Sequence, residues 1–193
     1  AAAGDTIHEL QCSRWEQVGD LSVAYQSSFL HVRQLGCVAR IDRFDRTAFG
    51  ISIAEAASMD PHQRMLLEVG LAALLGAGCR RTSLVGSEAA VYVGCMNADS
   101  APRSIQSPAS SVYAATSSAT SVASGRLSYA LGLHGPCATI DTACSSALVA
   151  LHSSALSLHN TECSHALAAG VKLILMPFAV AHGTVAPDGR SKT

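Results

Sequence analysis

The chain has 193 residues, a net charge of −1 and 14% charged residues. These values fit one domain with a sizeable core and exclude a basic nucleic-acid surface or a patch made for anionic membranes. Hydrophobic residues make up 49% but aromatics only 5%, so the core is expected to be built from Ala, Val and Leu, small enough for closely packed α/β layers.

Residues 1–40 read as irregular and polar, with Trp15 the only tryptophan. No basic stretch followed by an apolar run resembles a signal peptide, and a cytoplasmic setting is expected. Ser52-Ile53-Ala54-Glu55 matches a capping box and predicts a short helical turn. Asp60-Pro61 predicts a stronger helix, with aspartate as N-cap and proline at the first helical position. Met65, Leu66, Val69 and Ala73 form its predicted apolar stripe, and Gly76 and Gly78 end it.

Ala89 to Gly94 reads as a buried strand, and the Ser/Pro density of residues 100–111 reads as a loop. Ala119, Val122, Ala123, Arg126, Leu127 and Ala130 keep helical spacing up to Gly132. Ala138-Thr139-Ile140 suits a short strand after the Gly135-Pro136 turn. From Ser145 onward, Leu148, Leu151, Ala155 and Leu158 recur at helical spacing. Leu167 to Leu175 is the last strand candidate. The stretch from 166 to 181 is broken by Lys172 and Pro177 and is too short to span a bilayer. Strands alternating with helices define an α/β class.

Seven cysteines stand at 12, 37, 79, 95, 137, 144 and 163, without any C-x-x-C pair. Neither a disulfide framework nor a zinc ribbon is expected, and His159, Cys163 and His165 lack metal-ligand spacing. Cys144 differs from the others because it falls where a strand ends and a helix begins. A thiol there feels the positive end of the helix dipole, and nearby amide N–H groups can receive an oxyanion. The dipole contributes about 0.3–1 kcal/mol, less than one pKa unit, so a base or further charge must complete the activation. The alternative is a buried Cys144 acting as a small hydrophobe. His152 lies eight residues along the same helix, about 12 Å in rise, and cannot serve the sulfur. His8, His31, His62, His134 and His165 carry no motif and read as surface or packing residues.

The segment "DTACSSALVALHSS" resembles the active-site segment of β-ketoacyl synthases, the condensing domains of modular polyketide and fatty acid synthases. "SRWE", "IDRFDRTAFGIS", "MDPHQRMLLEVG", "VYVGCMNADS", "ASGRLSYALGLHGP", "SHALAAGVKLIL" and "APDGRSKT" follow the family's order along nearly the whole chain. The resemblance implies a thiolase-like fold of layered α-β-α-β-α architecture. Residues 1–193 correspond to most of the first of its two halves, without the opening strand and the C-terminal half. Cys144 is then the nucleophile that takes an acyl chain from the phosphopantetheine of an acyl carrier protein; no other bound cofactor or metal is expected. The two histidines and the lysine that the family uses for condensation are expected beyond Thr193, so the fragment alone is expected not to condense. His182-Gly183-Thr184 precedes "PDGR", against the family's order, and is set aside.

Departures from the pattern are Ala169 in place of a glycine, Lys172 in place of asparagine, Ala147 in place of a frequent serine, and a short connection from Pro177 to Ala186. The Ala147 change is expected to be harmless on a core-facing helix. Expected partners are the acyl carrier protein and adjacent synthase domains, with homodimerisation of the parent through the strand near "CATID". Two other readings are carried: a non-catalytic remnant or dimerisation half, and a thiolase-type enzyme acting on coenzyme A esters.

Overall fold

The computed structural model describes residues 7–9, 34–36, 38, 41–96, 113–117 and 119–175, in two compact units. In the first, strand β1 (Ile7–Glu9) pairs antiparallel with β2 (Gln34–Gly36), Ile7 opposite Gly36. The described residues from Asp42 to Leu173 form the second unit, which holds the core.

That unit opens with a 3₁₀ turn, Arg46–Phe49, whose N-cap Asp45 accepts from the Thr47 and Ala48 amides. Helix α1 (Ile53–Ser58) follows, and Ser52 caps it by accepting from the Glu55 amide. Only this half of the predicted capping box forms. The Glu55 carboxylate instead pairs with Arg126, an ion pair between elements replacing a local one. Helix α2 (Pro61–Gly76) begins as read, with Asp60 at the N-cap and Pro61 at the first position, and Gly78 takes a φ of 86° beyond its end.

The buried face of α2 is Gln63, Leu66, Leu67, Gly70 and Leu74. Val69 and Ala73, expected in the apolar stripe, are exposed; they line an open groove of about 300 Å³ against residues 167–171. Gly70 moves the stripe. A Cβ there would stand 3.1 Å from Leu127 and 3.3 Å from Leu167, so its bare face draws the helix onto those leucines.

A one-turn helix, α3 (Arg81–Leu84), leads to β3 (Ala89–Cys95), buried along nearly its whole length as a central parallel strand should be. After α4 (Ala114–Ser117) comes α5 (Val122–Leu131), closed by Gly132 at a φ of 69°. Strand β4 (Cys137–Ile140), a 3₁₀ turn (Ala143–Ser145), helix α6 (Ser146–His159) and β5 (His165–Val171) complete the unit. The sheet order is β4-β3-β5, all parallel, with Gly94 opposite both Ile140 and Gly170. The final strand starts two residues before its predicted position and ends four residues earlier.

Helix α6 forms at the expected helical spacing, but its leucines do not face the sheet. Ser146, Ala150, Ser154 and Ser157 face inward, whereas Leu148, Leu151, Leu156 and Leu158 are exposed, Leu148 by 69%. Small residues win the sheet-facing side because the strands beneath are glycine-bearing and the backbones approach closely. A Cβ on Gly94 would lie 2.5 Å from the Ala147 nitrogen, and one on Gly170 would lie 2.7 Å from the Ala147 Cβ. No described helix is long and apolar enough to cross a membrane.

Candidate active site

Cys144 sits in the 3₁₀ turn between β4 and α6 and is exposed. The expected strand–turn–helix corner is therefore present, and the buried alternative for this thiol is not. The corner is held by short polar contacts. Asp141 Oδ1 accepts from the Ala143 amide at 3.0 Å. The buried Ser146 hydroxyl accepts from the Thr142 amide at 2.8 Å and donates to the Ala143 carbonyl at 2.7 Å. Ser145 donates to the Thr142 carbonyl at 2.8 Å. Ala143 itself takes a φ of 54°, a left-handed conformation that costs an alanine about 1–2 kcal/mol. That reversal turns the chain sharply enough to lift the next residue, Cys144, off the sheet.

The donor pattern is uneven. The Thr142 and Ala143 amides are occupied within the turn, while among the described residues no acceptor takes the Cys144 amide. A thiol and an uncommitted N–H on one residue, at the positive end of a 14-residue helix, suit attack on a carbonyl whose oxygen becomes an anion.

The sheet carries other groups to the same rim. Parallel strands end together, and ligands meet such sheets at their carboxyl ends. Cys95 closes β3, Asp141 follows β4, and Lys172 follows β5. Burial pushes the Cys95 thiol up; the charge of Asp60 adds to the rise, Lys172 opposes it, and Asp141 adds further.

Asp141, Ala143, Ser146 and Gly94 were not singled out from the sequence. An aspartate two residues before the reversed backbone position was the one local signal available. His152 and His159 lie exposed along α6, and no described hydrogen bond or ion pair joins any imidazole to Cys144. No three-residue group of metal-ligating side chains occurs among the described residues. The five described cysteines, 79, 95, 137, 144 and 163, are free thiols. Cys12, Cys37, His31, the His182-Gly183-Thr184 motif and the Pro177–Ala186 connection lie outside the described residues.

A three-stranded parallel sheet with helices against it, and an exposed cysteine at a strand–helix corner, is an α/β arrangement with a nucleophile at the carboxyl end of its sheet. Comparison with known proteins narrows the class. The family model for the β-ketoacyl synthase N-terminal domain matches residues 1–192. Polyketide synthase GfsA of Streptomyces halstedii is 45% identical over 168 residues, covering 84% of this chain and 2% of that protein. Erythronolide synthase EryA3 of Saccharopolyspora erythraea is 41% identical over 198 residues, covering 100% of this chain and 6% of the relative. The ketosynthase from module 6 of the bacillaene synthase of Bacillus subtilis 168 superposes with a TM-score of 0.71 at 30% identity, over 95% of this chain and 30% of that one. The chain belongs to the β-ketoacyl synthase family, within its N-terminal domain, and has the thiolase-like fold. It spans a small fraction of its curated relatives and under a third of the solved ketosynthase.

Proposed function

We propose that this chain is the nucleophile-bearing part of a polyketide synthase condensing domain and that Cys144 forms its acyl-enzyme. The observation that carries this reading is the exposed thiol on the strand–turn–helix corner, next to an amide without an acceptor. The Cys144 thiolate adds to the carbonyl of an acyl thioester carried on the phosphopantetheine of an acyl carrier protein. The oxygen becomes an anion and is received by the Cys144 amide. Collapse breaks the original carbon–sulfur bond, and the carrier leaves as a thiolate that takes up the proton the Cys144 thiol gave up. In the second half-reaction a malonyl thioester loses CO₂. The resulting enolate attacks the acyl-Cys144 carbonyl, forming the carbon–carbon bond of a β-ketoacyl carrier and releasing the cysteine thiolate.

The exposed leucines of α6 fit this reading. In a layered thiolase-like fold a helix that faces one sheet with serine and alanine and turns leucines outward lies between two layers. The remainder of the condensing domain is the second layer. The exposed edge of β4, with Cys137 open to solvent, is the surface for a two-fold related copy of the parent.

Mass spectrometry of the synthase domain offered carrier-bound or coenzyme A-bound acyl donors tests the substrate class. Faster labelling from the carrier supports a synthase. Faster labelling from coenzyme A favours a thiolase-type enzyme, and labelling from neither favours a non-catalytic remnant.

A further inference from the structure

The "MDPHQR" stretch plays no part in the acyl transfer described above, yet it contains a buried, fully engaged imidazole. His62 is 2% exposed and Asp60 4%. The His62 Nδ1 lies 2.6 Å from Asp60 Oδ1, which also accepts from the His62 amide at 2.6 Å. On the other side of the ring, Nε2 accepts from the Leu173 amide at 2.8 Å. A backbone amide can only donate, so Nε2 must carry the lone pair and Nδ1 the single ring proton, given to Asp60.

The tie reaches the active-site corner by a continuous path. Leu173 is three residues beyond Gly170 at the end of β5. Gly170 is the seat of Ala147 in the first turn of α6, and the turn holding Cys144 runs directly into that turn. The start of α2 is itself anchored. The Asp60 amide donates to the Ser117 carbonyl at 2.9 Å, and Gln63 Nε2 donates to the carbonyls of Thr116 at 3.1 Å and Ala119 at 3.3 Å. A rigid helix start therefore holds one strand end through one ring nitrogen.

We propose that His62, as the Nδ1–H tautomer, is a positioning residue that fixes the end of β5 and through it the Ala147 seat and the Cys144 corner. This rests on the acyl-transfer reading only for its consequence; the tie itself is tested without any acyl donor.

The chain is labelled with ¹⁵N-histidine, and long-range proton–nitrogen correlation reads the ring. The Nδ1–H tautomer is expected at His62, and an Nε2–H tautomer or an imidazolium overturns the proposal. Amide exchange is then followed in His62→Leu and His62→Gln. Without an acceptor, Leu173 in His62→Leu should lose protection by about tenfold or more, and the first turn of α6 should lose protection with it. The glutamine amide supplies both a donor and an acceptor and should keep most of the protection at both places. In the synthase domain, Cys144 acylation should fall in His62→Leu and be largely rescued in His62→Gln.

A folded His62→Leu chain with native protection at Leu173 overturns the tie. Loss at Leu173 with an unchanged α6 first turn and unchanged acylation overturns the positioning role. Should His62→Leu fail to fold, the ring tautomer and His62→Gln decide, and loss of Leu173 protection in His62→Gln counts against the proposal. Failure of the native domain to acylate, with the exchange pattern as expected, refutes the acyl-transfer reading and leaves the tie standing.

Discussion

The α-carbon of Gly94 on β3 lies directly under the Ala147 peptide of α6, so close that a Cβ would stand 2.5 Å from the Ala147 nitrogen and 2.7 Å from the Ser146 carbonyl oxygen. Backbone cannot yield as a flexible side chain does. Gly94→Ala is expected to destabilise the chain by about 3 kcal/mol, at the upper end for overpacking. Gly170→Ala meets the Ala147 methyl at 2.7 Å, a group fixed to its backbone with no rotamer to escape into, and should cost about 2 kcal/mol. Urea denaturation of the three proteins gives the order.

Gly125 is the converse case. It lies inside α5, and a Cβ there meets nothing within 4 Å. Gly125→Ala should therefore stabilise by about 0.5–1 kcal/mol through helix propensity. An unchanged or lower denaturation midpoint would show that the space beside α5 is needed by something else.

These glycines show what could be read in the sequence. Asp60-Pro61, the buried run from Ala89 and the Gly132 stop were readable because each is a local backbone rule with a residue type attached. The corner at Cys144 was readable because a strand pattern gives way to a helix pattern within a few residues. The orientation of α6 was not. Leucine spacing shows that a helix forms there but not which face is buried; that face is set by Gly94 and Gly170, far away in sequence, which reward serine and alanine by close approach. Likewise Glu55 was claimed by Arg126, 71 residues away, rather than by its own cap. The His62–Leu173 tie spans 111 residues and left no local trace.

The leucine face of α6 gives a third prediction. Leu148→Ser and Leu151→Gln remove exposed apolar surface, so each should change the stability of the chain itself by no more than about 0.5 kcal/mol. Both should reduce binding of a hydrophobic dye. In the intact synthase domain the same changes should cost about 2–5 kcal/mol, as burial of those leucines would require. Equal, small effects in both settings would mean that no second layer covers this face.

Thiol chemistry separates the cysteines. Iodoacetamide followed by peptide mapping should modify Cys144 and Cys137 in the folded chain, whereas Cys95 and Cys163 should react only on unfolding. Burial raises the Cys95 thiol, so the unfolded chain gives up that proton at a lower pH than the folded chain. The unfolded state then holds fewer protons, and stability falls as pH rises beyond about 9. Cys95→Ala should lower stability overall yet flatten that slope. A slope unchanged in Cys95→Ala would assign the alkaline loss to another group.

The strained turn can be probed at one position. Ala143 pays for its φ of 54°, and glycine does not, so Ala143→Gly should stabilise the fold by about 0.5–1 kcal/mol. Ala143→Val, β-branched at the same backbone angle, should destabilise it and slow acylation of Cys144. Equal stability of all three would mean that the chain does not turn there as described.

Whether Cys144 is the acylated nucleophile is decided by intact-mass spectrometry of the synthase domain containing this chain, after exposure to an acyl thioester of phosphopantetheine. One acyl adduct is expected, mapped to Cys144 and absent from Cys144→Ala. An adduct that survives Cys144→Ala, or that maps to Cys137, which is also exposed, contradicts that role.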